Sequence, residues 1–312
     1  MIRFNYTEFN TDKPTLIMLV GLPGCGKSTF ARKFHGNIVI RSSDALRAEM
    51  FGDENDNGHN DKLFVELHRR IKNDLRNGKS VVYDATNIKK KLRTAFLRDL
   101  HEDCYKVCIV LAETIETCLE RNATRVRKVP EEAIYRMRKQ YQPPYYSEGW
   151  NEIHIAFGEV TDKYTIKTFK ERDFDQGNEH HSLSLWNHSV AAAEYIAGRY
   201  PDHSILFLAA LLHDVGKLET KTLVNCKGEN DGNCHYYDHH NVGAYDSMFY
   251  LYHIYLLTEQ EILYISNMIY YHMHPFRQWR DMKKSRLERV IESLGDLYEN
   301  VLILHEADRY AH

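Results

Sequence analysis

The sequence predicts two domains of different class. Residues 1–168 read as an α/β domain, a parallel sheet with helices on both faces, and residues 169–312 as an all-α domain. Three observations carry this. A length of 312 residues exceeds the roughly 100–200 of one domain. Up to about residue 150, short apolar runs alternate with helical patterns. From residue 185 onward the patterns are helical and strand-like runs are hard to find. Thr, Lys, Glu and Asp dominate 158–177, which puts the junction near residue 170.

The elements follow in order. Residues 15–20 are a short apolar run, suited to a strand buried on both faces. A glycine loop follows over 21–26, then a helix from Lys27. Residues 37–40 read as a second strand, 61–76 as a helix closed by Asn77-Gly78, 80–83 as a third strand, 105–111 as a fourth and 114–125 as a helix. In the second part, 185–200, 204–213, 240–257 and 260–272 read as helices, and 284–312 as one or two more.

Composition narrows the class. Apolar residues make up 43% and charged residues 27%, which excludes a mainly disordered or collagen-like chain. The net charge of −3 means that a nucleic-acid partner must be met by a local basic patch. Six cysteines without framework spacing read as reduced thiols of a cytoplasmic protein. No apolar run approaches the ~20 residues that span a bilayer, so no membrane partner is expected. Of the 18 histidines, 13 lie at or after His180, which points to metal or acid–base chemistry in the C-terminal part.

Gly21-Leu22-Pro23-Gly24-Cys25-Gly26-Lys27-Ser28 matches the P-loop pattern GxxxxGK(S/T). Glycines let backbone N–H groups turn inward around a phosphate. Lys27 would reach the β and γ phosphates of ATP, and Ser28 would hold Mg²⁺. Asp44 and Arg47 follow the second strand, where ligands of a parallel sheet bind. Asp44 reads either as a helix cap or as a general base taking the proton of an attacking hydroxyl. Arg47, one turn on, could clamp an acceptor phosphate. Asp84-Ala85-Thr86-Asn87 reads as a turn or as a positioning segment. Arg121 and Arg125, at i and i+4, fall in a stretch with seven Lys/Arg against two acids over 121–140. They read as a solvated basic face or as a lid that neutralises the transferring phosphoryl group.

GLPGCGKST, SSDALR, DATN and ERNATR followed by KVP, in that order, resemble the 5′-hydroxyl polynucleotide kinases of phages and bacteria over about residues 15–150. The resemblance implies a general-base Asp44, an Arg47 that holds the phosphate beside the acceptor 5′-OH, and lid arginines Arg121 and Arg125 on the donor phosphates. It places the nucleotide against Gly21, Gly24, Cys25, Gly26, Lys27, Ser28 and Thr29.

In the second part, His213-Asp214-Val215-Gly216-Lys217 ends an apolar helix. His188 lies on the preceding helix, His239 opens His239-His240-Asn241-Val242-Gly243-Ala244, His272 ends another apolar helix and Asp308 closes the series. His with carboxylate suits divalent Mn²⁺, Fe²⁺, Co²⁺, Ni²⁺ or Zn²⁺. The series resembles the HD phosphohydrolase superfamily, nearest the branch appended to bacterial CCA-adding tRNA nucleotidyltransferases. The resemblance implies one metal on His188, His213, Asp214 and Asp308, and a second bridged by Asp214 to His239 and His272. Lys217 would steady the phosphate charge. His240 departs from the pattern, which usually has Glu there. Cys226, Cys234 and His235 match no common zinc spacing.

Together the two resemblances imply an end-healing enzyme. It would phosphorylate 5′-OH ends with ATP and hydrolyse 2′,3′-cyclic, 2′ or 3′ phosphate ends. The expected partners are nucleic-acid ends, RNA before DNA, a nucleotide, and a ligase acting on the product. Bacterial proteins fusing these modules can carry the HD module first; here it comes second. Two alternatives stand beside this: a nucleoside or nucleotide kinase fused to an HD nucleotidase, and a nucleotide-sensing module.

Overall fold

The computed structural model describes residues 11–54, 56, 58–100, 103–125, 127–158, 174–177 and 183–312. The chain divides into two compact units. The first comprises Met1–Met137 and Pro144–Glu159, the second Arg138–Pro143 and Val160–His312. The predicted junction at 168/169 lies outside the described residues.

In the first unit, the order is β1 (Thr15–Val20), α1 (Lys27–Ala31), β2 (Ile38–Ser42), α2 (Ser43–Phe51), α3 (Asn60–Arg76), β3 (Ser80–Asp84), α4 (Lys90–Arg98), β4 (Tyr105–Ala112), α5 (Ile115–Thr124), α6 (Glu131–Lys139, its last two residues counted with the second unit) and β5 (Glu152–Phe157). The five strands are parallel in the order β2-β3-β1-β4-β5. This is the predicted α/β class. Every residue of β1 is buried, as its unbroken apolar run requires of a central strand. From β1 the chain moves to one side for β2 and β3, then returns to the other for β4. That switch opens a crevice beyond the carboxyl end of β1. On α3, Leu63, Leu67, Ile71 and Leu75 recur every fourth residue and form the buried stripe. The fifth strand was not anticipated: Glu-Ile-His-Ile-Ala-Phe carries polar residues at alternate places and sits at the sheet edge.

The second unit is mainly helical, as predicted: α7 (Leu185–Arg199), α8 (Ser204–Leu212), α9 (His239–Ile254), α10 (Glu259–Tyr271), α11 (Lys284–Leu294) and α12 (Asp296–Tyr310). It also holds an antiparallel hairpin, β6 (Lys221–Val224) and β7 (Asn230–Tyr236), which the all-α prediction did not include. In α9, twelve residues from His239 to Leu251 are buried. Such a helix, apolar or buried almost all round, is the centre of its unit.

Candidate active site and metal centre

The P-loop leaves β1 at the middle of the sheet. Gly24 and Gly26 have φ of 88° and 94°, left-handed values that favour glycine. Gly24 has a second reason: a Cβ there would stand 2.3 Å from the Cys118 carbonyl oxygen. Lys27 is buried and donates through Nζ to the carbonyls of Gly21 at 3.1 Å and Leu22 at 2.8 Å. Cys25 is buried with Sγ 3.6 Å from that Nζ; burial pushes its thiol above the ordinary value. Ser28 and Thr29 are exposed at the start of α1. Ser28 bonds the Asp84 carboxylate, and burial raises Asp84 above the usual carboxylate range against the pull of Lys27 and Ser28. The 84–87 segment is a turn that also lies against the P-loop. Asp84 faces the P-loop, while Asn87, at φ 47°, turns the chain and donates to the Leu19 carbonyl at 2.9 Å.

The cap of α2 is Ser42, whose hydroxyl accepts from the Ala45 N–H. The Asp44 carboxylate does not cap the helix. Its Oδ1 accepts from Arg47 Nη1 at 2.9 Å, so these two do share a face. Arg47 is buried and donates also to Asn60 Oδ1 at 3.1 Å.

Arg121 and Arg125 do not share a helix face, contrary to the i, i+4 reading. Helix α5 stops at Thr124 and Arg125 is extended, with ψ 151°. The reason lies in Asn122. Its amide bonds the Val129 carbonyl at 2.8 Å and N–H at 2.9 Å, which turns the chain out of the helix. Arg121 pairs with buried Glu113 at 2.8 Å. Arg125 is exposed and acts on Asp84 through its charge. A residue the sequence reading missed takes the central place: Arg127 Nη1 lies 2.5 Å from Asp44 Oδ1.

In the helical unit, His188 comes from α7, His213 and Asp214 follow α8, His239 opens α9, His272 follows α10 and Asp308 lies on α12. All are buried. They form two groups, His188-His213-Asp214-Asp308 and Asp214-His239-His272, whose ligand atoms lie within 4.8 Å of one another. His188 Nε2 stands 3.2 Å from His213 Nε2 and 3.1 Å from Asp308 Oδ1. His239 Nε2 stands 3.2 Å from His272 Nε2 and 3.3 Å from Asp214 Oδ1. Asp214 Oδ2 turns to the first group, 3.3 Å from His213 and 3.5 Å from His188.

The other imidazole nitrogens explain the orientation. The Nδ1 atoms of His188, His213, His239 and His272 lie 3.2, 2.7, 2.8 and 2.6 Å from the carbonyls of Ala311, Ala210, Tyr236 and Ile269. A carbonyl only accepts, so each Nδ1 carries the hydrogen. In the neutral rings the four Nε2 lone pairs then face the carboxylates, the arrangement of metal-binding histidines. Burial, with His239 and His213 beside it, holds His272 down to about 3, hence neutral. Burial also pulls His213 down, but the Asp214 and Asp308 carboxylates outweigh it and lift the ring to about 10. Burial would raise Asp214 and Asp308; Lys217 and His213 around the first, and His188 and His213 around the second, hold them well below the usual range. Two buried carboxylates facing four imidazoles fixed through Nδ1 suit a divalent cation, which would take the place of the proton that the carboxylates draw to His213.

Lys217 is buried, with Nζ 2.6 Å from Asp214 Oδ2 and 2.8 Å from Gln176 Oε1. His240 belongs to neither ligand set but lies beside the second, its ring 5.7 Å from that of His239 and 6.5 Å from that of His272, and it also meets Tyr270 at 5.9 Å and His274 at 6.0 Å. The sequence reading missed Gln176, and also His312, whose Nε2 is 3.6 Å from Asp308 Oδ1. Neither belongs to a spaced motif.

Residues 16–144 match the family model described as AAA domain, and residues 178–311 match the one described as HD domain. The chain is a P-loop kinase domain joined to an HD domain. Among curated proteins it is similar to an L-seryl-tRNA(Sec) kinase of Methanococcus maripaludis, 31% identical over 169 residues. That match takes in 52% of this chain and 62% of the relative, less than two thirds of its length. Among solved structures it is similar to a chain of the Pnkp1/Rnl/Hen1 RNA repair complex, at 25% identity and a TM-score of 0.37, over 41% of this chain and 44% of that one. It is also similar to a putative kinase from Chloroflexus aurantiacus, at 16% identity and a TM-score of 0.41, over 51% of this chain and 98% of that one. Among the described residues no helix is long and apolar enough to cross a membrane.

Proposed function

We propose that the chain heals RNA ends, phosphorylating 5′-OH ends with ATP and Mg²⁺ and hydrolysing 2′,3′-cyclic, 2′ or 3′ phosphate ends at the metal centre. The observation that carries this reading is the sharing of Asp214 between two buried ligand sets, in a chain that also has a P-loop suited to phosphate. A pair of adjoining ligand sets suits phosphate-ester hydrolysis. Divalent metals held there would lower the pKa of a bound water and polarise the phosphorus oxygens. The residues do the rest. The Nδ1–H bonds fix each imidazole, Asp214 spans both sets, and Lys217 offers a buried ammonium to the phosphate. In the kinase half, Asp44 would accept the proton of the attacking hydroxyl, and Arg47 would hold the acceptor phosphate. Arg121 and Arg125 would attend the donor phosphates.

The similarity to a kinase named for a seryl-tRNA supports an acceptor hydroxyl carried on RNA. It also favours a second reading, a kinase whose acceptor hydroxyl is not the 5′ end. The products expected of the first reading, a 5′ phosphate and a free 3′ end, are what a ligase consumes. The deciding experiment incubates the full chain with γ-labelled ATP and 5′-OH RNA, 5′-OH DNA or nucleosides. In parallel, RNA ending in a 2′,3′-cyclic phosphate is followed for phosphate release with added Mn²⁺. Labelled 5′ ends and released phosphate are the expected result. Label on nucleosides alone would replace this reading by a small-molecule kinase.

A further inference from the structure

Residues 138–143 belong to the helical unit, although they lie in sequence before β5 of the sheet unit. No ligand motif includes them, yet they are bonded more closely than an interdomain connection requires. Arg138, 3% exposed, donates through Nε to Asp246 Oδ1 at 3.1 Å and through Nη2 to Asp246 Oδ2. A fork of this kind compensates a carboxylate that is itself only 5% exposed. Tyr141 is wholly buried; its ring meets Tyr245 edge-on at 5.0 Å and its carbonyl accepts from Asn241 Nδ2 at 2.7 Å. Gln142 donates through Nε2 to the Tyr270 hydroxyl at 2.6 Å.

Apart from a longer pairing of Arg138 with Glu219 at 3.9 Å, each of these contacts ends on one of two helices. Asn241, Tyr245 and Asp246 lie on α9, in the two turns after His239. Tyr270 lies on α10, just before His272. These histidines supply the second ligand set and must keep their Nε2 atoms near the 3.2 Å observed to share an ion. A ligand misplaced by more than about 0.5 Å loses productive geometry.

We infer that residues 138–143 are a positioning strap for the second metal, holding α9 and α10 at the separation at which His239 and His272 act on one ion. The inference rests on the reading of the two ligand sets as metal positions. The strap touches helices and not the ion, so its effect is on affinity at one position, with the first set of His188, His213, Asp214 and Asp308 left intact.

The test uses the full chain, stripped with a chelator and titrated with Mn²⁺ alone, bound ions being counted by paramagnetic resonance. Wild type should take up two ions and show the spectrum of a coupled pair. Tyr141→Ala should keep one tight ion and bind the second about 10- to 100-fold more weakly, the loss seen when supporting groups of a metal site are removed. Tyr141→Phe, which keeps the ring, should restore the pair. Gln142→Leu, on a half-buried side chain, should weaken the second ion alone and decides the matter if Tyr141→Ala does not fold. A second-ion affinity within twofold of wild type in both Tyr141→Ala and Gln142→Leu would overturn the strap. So would an equal loss of both ions in Gln142→Leu with unchanged circular dichroism. A wild-type chain that takes up one ion only would instead overturn the two-metal reading.

Discussion

Gly216 faces Gly243 with no room for a side chain between them: a Cβ on Gly216 would stand 2.5 Å from the Gly243 nitrogen and 2.0 Å from the His239 carbonyl oxygen. This approach sets the turn bearing His213 and Asp214 against the start of α9, so that Asp214 reaches His239. Gly216→Ala should therefore push the two ligand sets apart. We expect a loss at or above the upper end of the about 1–3 kcal/mol typical of overpacking, together with reduced metal content. Gly243→Ala, whose Cβ would meet its nearest atoms at 3.3 Å, should be milder. Thermal unfolding beside metal analysis checks the order.

Asp214→Ala should disturb both metals and abolish phosphate release from a 2′,3′-cyclic or 2′-phosphate RNA end, because each carboxylate oxygen serves a different set. His272→Ala should bind less metal and keep some. Neither should change 5′-OH phosphorylation. An Asp214→Ala protein with its full metal and undiminished hydrolysis would refute the assignment.

Lys27→Ala and Asp44→Ala should each abolish phosphorylation of a 5′-OH oligonucleotide in a folded protein; for a general base the loss is about 10²–10⁴-fold. Arg127→Ala, which removes one of two guanidiniums from Asp44, should cost less and act through the acceptor KM. Steady-state kinetics on the purified variants separates these. Full activity in Asp44→Ala would rule out its role as base.

His68 predicts an acid-sensitive sheet unit. It stacks at 4.3 Å on Phe96 and bonds the Tyr83 hydroxyl at 3.0 Å, and burial, followed by the charge of Lys72, lowers it to about 4. A histidine lowered on folding stabilises the protein above its unfolded value near 6.5, and the contribution is lost as pH falls from there towards 4. The partly exposed ring reduces the effect to on the order of 1–2 kcal/mol at pH 5. Denaturant unfolding at pH 7 and pH 5 should show this loss in wild type and a smaller one in His68→Phe. An equal loss in both would place the acid sensitivity elsewhere.

The chemistry-bearing loops were legible because their physics is local. The glycines of 21–26 answer to backbone angles, and the His and Asp residues of the second part mark ends and faces of helices that their own apolar patterns reveal. What escaped depends on contacts distant in sequence. β5 alternates Glu152, His154 and Ala156 with apolar residues and becomes a strand by pairing with β4. Arg125 continues a helical pattern that a single side chain, Asn122, breaks. Arg127 is one arginine in a basic stretch, and only the fold brings it to Asp44. Gln176 and His312 lie outside any spacing rule. The hairpin strand 230–236 is rich in Asn, Gly and Asp, residues depleted from strands, so its pairing is decided by the unit and not by propensity.

The polypeptide passes between the two units three times, at 137/138, 143/144 and 159/160. Modules joined once can be exchanged by one genetic crossover, each arriving whole. Here a crossover after residue 159 would deliver a helical unit with Asp246 stripped of Arg138, a carboxylate buried without its counter-ion. It would also leave the donor sheet unit carrying a strap with nothing to bind. A cut before α6 fares no better, because it takes β5 from β4 and Glu148 from buried Arg93, so no single break in the chain leaves both units whole.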